Sequence, residues 1–191
     1  MSGDLLSDKS ATLCGIGAVS IGAVFLDRDN TLIVDRLYMY KIEDFCWWNG
    51  AVAALRRFQA AGIRVFVVTN QGGVALGRFT VEDMNCFHRH LQFEASKAGG
   101  NIIDVAACIH HPDAPGAQAN VPCSCRKPQP GLILQLAAKW GVDLRASVMI
   151  GDRASDVEAG LRAGCHSYLF DGGDLSLLAE KVERLHFGKI S

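Results

Sequence analysis

The sequence predicts an α/β fold, a largely parallel sheet covered by helices on both faces. Two observations predict it. Short apolar, β-branched runs alternate with amphipathic stretches along the whole chain. Strands that alternate with helices are joined by right-handed crossovers, which lay the strands parallel and the helices over both faces.

Gly22 to Leu26 (GAVFL) reads as a buried strand that stops at Asp27. Gly50 to Ala61 has helical periodicity through Val52, Leu55 and Phe58, and stops at Gly62, a natural helix-ending residue. Ile63 to Thr69 (IRVFVVT) is a second strand. Thr80 with Asp83 resembles a capping box that opens a helix of about 18 residues, which ends at Gly99-Gly100. Ile102 to Cys108 is strand-like, a loop punctuated by prolines comes next, and a helix runs from about Pro130 to Trp140. A strand over Val148 to Gly151, a helix over Ser155 to Ala163, a strand over His166 to Phe170 and a helix from Leu175 to about Leu185 complete the series.

The chain has 191 residues, enough for one domain with a real core. We expect a flexible tail over residues 1–17 and a single domain over 18–191. Hydrophobic residues make up 49% and charged residues 20%, which excludes a disordered, collagen-like or coiled-coil chain. A net charge of −1 gives no bias towards nucleic acid or an anionic membrane, so neither is expected as a partner, and a monomer is expected. The uncharged stretch Ala11 to Leu26 is too short and glycine-rich to span a bilayer, and acidic Asp4 and Asp8 precede it where a signal peptide is basic. The seven cysteines are an odd number, three of them within residues 108–125, which points to metal in a reducing cytoplasm.

In open parallel sheets the ligand crevice lies beyond the carboxyl ends of the strands. Directly after the predicted strands stand Asp27-Arg28-Asp29, Thr69-Asn70-Gln71, Cys108-Ile109-His110 and Gly151-Asp152-Arg153. Asp27 and Asp29 would share a face if the extended backbone continued, and Asp152 would join them from another strand end. Carboxylates so close repel unless a cation sits among them, and a hard oxygen-seeking ion such as Mg²⁺ suits the set. Thr69 and the amides after it suit phosphate oxygens, and Arg126 and Lys127 supply positive charge to a transferring phosphoryl group. The chemistry is phosphoryl transfer through an aspartyl-phosphate: one carboxylate attacks, the other moves the proton.

Cys108 with His110, and Cys123 with Cys125, form two donor pairs across the proline loop. Three thiolates and an imidazole make the closed tetrahedral set of structural Zn²⁺, with His111 as a competing ligand. Bound zinc would fold the loop that presents Arg126 and Lys127.

These residues resemble the haloacid dehalogenase superfamily: Phe25 to Leu32 (FLDRDNTL) is similar to its first motif, Val67-Val68-Thr69-Asn70 to its second, Lys127 to its third and Gly151 to Asp156 (GDRASD) to its fourth. The resemblance implies a Rossmann-like sheet, Asp27 as nucleophile and Asp29 as general acid and base. Thr69 and Lys127 become phosphate ligands. Mg²⁺ is held by Asp27, Asp152 and the backbone carbonyl of Asp29, with Asp156 behind them. Asn30 stands where the family usually has Gly, and Asn is the side chain that best tolerates a positive φ there.

Within the superfamily, the zinc loop resembles two phosphatase groups, those of D-glycero-D-manno-heptose 1,7-bisphosphate and of histidinol phosphate. Thr31 to Tyr38 and Thr69 to Thr80 look more like the heptose group, which implies removal of the 7-phosphate of a sugar bisphosphate used for lipopolysaccharide precursors. That group's substrate contacts fall on Asp35, Arg36, Leu37, Tyr38, Asn70, Gln71, Gly72, Arg126 and Arg153, with Leu37 in place of a usual Gly. The alternatives are histidinol phosphate as substrate, or a zinc-stabilised binding module with weak catalysis.

Too few residues separate Asp29 from Thr69, or Thr69 from Lys127, for a large cap domain. A short flap over about Leu32 to Asn49 is expected instead. Trp47 and Trp48, beside a helix start, read as packing residues, and His88 and His90 as surface or core residues.

Overall fold

The computed structural model describes residues 21–115 and 122–188; the expected tail over residues 1–17 lies outside them. Five parallel strands form one sheet: β1 (Ala23–Leu26), β2 (Arg64–Asn70), β3 (Asp104–Cys108), β4 (Val148–Gly151) and β5 (His166–Leu169), in the order β3-β2-β1-β4-β5. The connecting helices are α1 (Ala51–Ala60), α2 (Val81–Lys97), α3 (Gly131–Trp140), α4 (Ala154–Ala163) and α5 (Leu175–Val182). The chain winds outward from β1 to β3 and then returns to the other side of β1. The switch point therefore falls between β1 and β4.

Side-chain alternation divides the core. Val24, Leu26, Val65 and Val67 face one way and pack on α1, α2 and α5 through Leu55, Phe58, Phe87, Leu91, Ala179 and Val182. Ala23, Phe25, Phe66 and Val68 face the other way, against Leu132, Ile133 and Leu136 of α3 and Ala159 of α4. Each central strand is buried on both faces, which is why its sequence is apolar throughout.

Local chemistry fixes the helix ends. The Thr80 side chain accepts from the Asp83 backbone N–H while the Asp83 carboxylate accepts from the Thr80 N–H, the reciprocal cap expected from sequence. Asp174 caps α5 in the same sense by accepting from Ser176 N–H at 2.9 Å.

Three details differ from expectation. The third strand begins at Asp104, two residues late, because Ile102 is drawn into the core beneath α2 while its carbonyl accepts from Gln92. The last helix changes at Glu183 to a π-helical turn, Glu183–Phe187. The flap between β1 and α1 is no loose loop: a 3-10 turn over Ile42–Asp44 and bridges from Ile33 to Asp29 and to Trp47 hold it. Trp47 packs edge-on to Phe45 at 4.9 Å and Trp48 edge-on to Phe170 at 6.0 Å, so both are packing residues. Among the described residues no helix is long and apolar enough to cross a membrane.

Candidate active site

The strand ends converge as the topology requires. Asp27 comes directly after β1 and its N–H continues the ladder to Ile150 O at 2.9 Å, so it stands beside the end of β4, where Asp152 is next in the chain. Asp27, Asp152 and Asp156 each present a carboxylate oxygen, and these oxygens lie within 4.8 Å of one another. Lys127 is buried among them, its Nζ 2.7 Å from Asp27 Oδ1, 2.7 Å from Asp156 Oδ1 and 2.8 Å from the Val68 carbonyl.

Three carboxylates and one ammonium leave net negative charge in a poorly solvated place. Burial pushes the Asp27 carboxyl up to about 7; Lys127 opposes this, and Asp156 and Asp29 add to it. Burial also raises Asp152, again with Asp156 adding. Burial alone would lower Lys127, but the two carboxylates outweigh it and hold the ammonium above its usual range.

The donor set fits a divalent cation. Both Asp156 oxygens are engaged, Oδ1 by Lys127 and Oδ2 by the Arg153 N–H at 2.9 Å at the start of α4. Asp152 Oδ1, in contrast, is buried with no hydrogen-bond partner among the described residues. An orphaned carboxylate oxygen next to Asp27 is what a hard cation would satisfy. Asp156 is thereby placed as a support for Lys127 and α4. Gly151 makes this possible: a Cβ there would run into the Asp156 carboxylate.

Asp29 lines the same cleft as Asp27. The chain turns after β1, with Asn30 at φ +55° and its side chain accepting from the Asp35 N–H at 3.1 Å. The Asp29 carboxylate turns to Arg28 (Nε to Oδ1, 2.9 Å) and to Gln71 (Nε2 to Oδ2, 2.8 Å). Gln71 Nε2 also reaches Thr69 Oγ1 at 2.8 Å.

A cleft of about 270 Å³ opens over these groups, lined by Asp27, Asp29, Asp35, Leu37, Tyr38, Thr69 to Gly73, His111, Arg126, Lys127, Arg153, Ser155 and Asp156. Of the expected contacts, Arg36 is exposed and does not line the cleft. Its neighbours Leu37 and Tyr38 do line it, both with left-handed backbone, φ +73° and +58°. Leu37 thus holds the conformation for which a Gly would be the relaxed choice. Asn70 lines the cleft, but its amide is engaged with the Lys127 backbone. The Arg78 guanidinium stacks over the Tyr38 ring, 5.8 Å from its centroid.

The proline loop brings Cys108, His110, Cys123 and Cys125 together, with donor atoms within 4.8 Å of one another. His110 Nδ1 lies 3.2 Å from Cys125 Sγ, and the Cys108 and Cys125 sulfurs are 3.0 Å apart. Three sulfurs and one imidazole nitrogen around one point suit a tetrahedral metal. His111 turns the other way: its Nδ1 accepts from Asp113 N–H at 3.1 Å and its ring packs over Gly72 in the cleft, where a Cβ would meet it at 2.6 Å. His110 therefore belongs to the metal cluster and His111 to the cleft.

Sequence reasoning missed two groups. Arg28, 1% exposed, is the largest fully buried side chain among the described residues, and His88 on α2 bonds to it. Their partners are scattered along the chain, so only the position of Arg28 between Asp27 and Asp29, both candidate site residues, could have flagged it.

The model of the HAD-hydrolase-like family matches residues 124–184. The D-glycero-beta-D-manno-heptose-1,7-bisphosphate 7-phosphatase of Rhodopseudomonas palustris (strain ATCC BAA-98 / CGA009) is 42% identical over 160 residues, 84% of this chain and 89% of that protein. The enzyme of the same name from Yersinia pestis is 37% identical over 144 residues, 75% of this chain and 77% of its own. The crystal structure of D,D-heptose 1,7-bisphosphate phosphatase from B. bronchiseptica, complexed with magnesium and phosphate, superposes with a TM-score of 0.76 at 27% identity, covering 86% of this chain and 99% of that one. With its parallel sheet, aspartate rim and these relatives, the chain belongs to the haloacid dehalogenase-like hydrolase family, among its phosphatases.

Proposed function

We propose that this protein is a Mg²⁺-dependent phosphatase that removes the 7-phosphate of D-glycero-D-manno-heptose 1,7-bisphosphate. The observation that carries the reading is the buried group of Asp27, Asp152 and Lys127 at the switch point, with Asp27 and Lys127 lining a cleft of about 270 Å³ and an Asp152 oxygen that has no hydrogen-bond partner among the described residues. Relatives named for that substrate cover most of the chain.

Asp27 is the nucleophile. A carboxylate oxygen forms a bond to phosphorus as the ester P–O bond breaks, and Asp29 gives its proton to the departing alkoxide. Asp29 then takes a proton from water, the resulting hydroxide attacks phosphorus, and the Asp27–P bond breaks to release phosphate. Asp27, Asp152 and the Asp29 backbone carbonyl would hold Mg²⁺, which would neutralise charge on the phosphoryl oxygens. Thr69 and Lys127 hold the phosphoryl oxygens, and Lys127 opposes the upward shift that burial gives Asp27. Asp35, whose Oδ1 is buried without a partner in the cleft wall, accepts from a sugar hydroxyl. Arg126 and Arg153 receive the phosphate that stays on the sugar. Cys108, His110, Cys123 and Cys125 would hold Zn²⁺, which would fix the loop that carries Arg126 and Lys127.

The test is phosphate release with Mg²⁺ from both anomers of the heptose bisphosphate, beside histidinol phosphate and an aryl phosphate, for wild type and Asp27→Asn. We expect the bisphosphate to be preferred by at least roughly tenfold in kcat/KM and its turnover to vanish in the variant. Faster turnover of histidinol phosphate would overturn the substrate, and full activity of Asp27→Asn would overturn the mechanism.

A further inference from the structure

We propose that Arg28 is a positioning residue for proton transfer: its buried guanidinium sets the orientation of the Asp29 carboxylate and ties it to the flap. This rests on the reading of Asp29 as the acid and base.

Every side of the guanidinium is engaged. Nε donates to Asp29 Oδ1 at 2.9 Å and Nη2 to Oδ2 at 3.2 Å, a fork against both carboxylate oxygens. The same Nη2 lies 3.0 Å from the Met39 carbonyl of the flap and 3.0 Å from Gln71 Oε1. Nη1 lies 3.1 Å from His88 Nε2, and the Phe87 ring sits 5.0 Å from Cζ. A guanidinium cannot accept, so His88 Nε2 does, with the ring proton on Nδ1. Burial, then the charge of Arg28, pushes His88 down to about 3, so it stays neutral and able to accept at any working pH.

Burying a charge is unfavourable unless its partners are excellent, and a surface ion pair would hold Asp29 at less cost. The buried fork does what a surface pair cannot. It fixes the carboxylate plane from the core side while Asp29 itself lines the cleft, and a proton donor misaligned with its leaving group loses most of its advantage. Gln71 carries the alignment on to Thr69. Lysine, a point charge, could neutralise Asp29 but could not reproduce the fork.

The experiment compares Arg28→Lys, His88→Leu, Asp29→Asn and wild type on the heptose bisphosphate and on ³²P-labelled para-nitrophenyl phosphate, whose leaving group needs no proton. For Arg28→Lys we expect first-turnover release of nitrophenolate within a few-fold of wild type, then steady turnover roughly 10²-fold slower, with labelled phosphate left on the acid-quenched protein. Asp29→Asn is expected to show the same burst and label. Turnover of the sugar bisphosphate should fall in kcat at near-constant KM. A burst in Asp29→Asn but none in Arg28→Lys overturns the positioning role; no burst in Asp29→Asn overturns the acid and base reading, and this inference with it. If Arg28→Lys does not fold, His88→Leu decides: roughly tenfold lower kcat at constant KM supports the role, and unchanged kcat with raised KM overturns it.

Discussion

The side chain of Asn70 clasps the backbone of Lys127: its Oδ1 accepts from the Lys127 N–H at 3.0 Å and its Nδ2 donates to the Lys127 carbonyl at 3.1 Å. Asn70 ends β2 in register with Cys108 of β3, so one residue joins the sheet, the metal loop and the buried ammonium. Asn70→Ala should release the loop, and steady-state kinetics should show kcat/KM lower by roughly 10- to 100-fold. A change of less than twofold would mean that the cysteine cluster alone suffices to place Lys127.

Removal of metal from the cysteine cluster should act on both stability and catalysis. The Arg126 N–H points at Cys123 Sγ (3.3 Å) and its Nη1 donates to the His110 carbonyl (2.8 Å), so Arg126 is held by the cluster itself. Cys125→Ser should lower zinc content, lower Tm by several degrees and reduce kcat/KM with Mg²⁺ saturating. Metal analysis beside a thermal melt checks this.

The acid limb of the kcat/KM profile should depend on Mg²⁺. Asp27 titrates near 7 without a cation because it is buried, and it must be ionised to attack. Activity at limiting Mg²⁺ should therefore rise with pH through about 7, while saturating Mg²⁺, which favours the charged form, should move that limb to lower pH. Two profiles at different Mg²⁺ concentrations suffice; an immobile limb would contradict it.

His88 gives stability its own pH dependence. Its folded value of about 3 lies below the ordinary 6.5, so the unfolded chain binds the proton first as pH falls. The contribution is whole above about 6.5 and is lost towards 3, at about 1.4 kcal/mol per pH unit in between. Urea unfolding at several pH values, wild type against His88→Leu, should isolate that slope, since the opposite drift from Asp27 is common to both.

Gly151→Ala should be disruptive although β4 is otherwise a tolerant apolar strand. The added methyl would meet Asp156, which anchors both Lys127 and the Arg153 N–H. A loss of about 1–3 kcal/mol, with weaker Mg²⁺ binding measured by titration calorimetry, is expected.

Much of this is legible in the sequence because it is written in local signals. Ala23 to Leu26 and Val65 to Val68 are apolar in unbroken runs, Thr80 and Asp83 stand at capping distance, and the aspartates come directly after strands. The parts that are not legible depend on tertiary direction. His110 and His111 are chemically identical neighbours, and only the path of the loop sends one to the cysteines and the other to the cleft. Extended backbone alternates, which predicts Asp29 on the side of Asp27, and both line the cleft, but the contacts from Arg28 and Gln71 that hold the Asp29 carboxylate are not written in that alternation. The burial of Arg28 is not legible because Met39, Gln71 and His88, which make it a core residue, come from the flap, the end of β2 and the middle of α2.

The strand order also governs when this site can exist during synthesis. β1 is made early, but one of its two neighbours, β4, comes more than a hundred residues later. Until Val148–Gly151 has left the ribosome, β1 keeps one unpaired edge, and Asp27 waits without the neighbour that completes its carboxylate group. A nascent chain therefore carries Asp27 long before Asp152 and Asp156 can join it, and premature termination before β4 leaves an open strand edge and an incomplete carboxylate group.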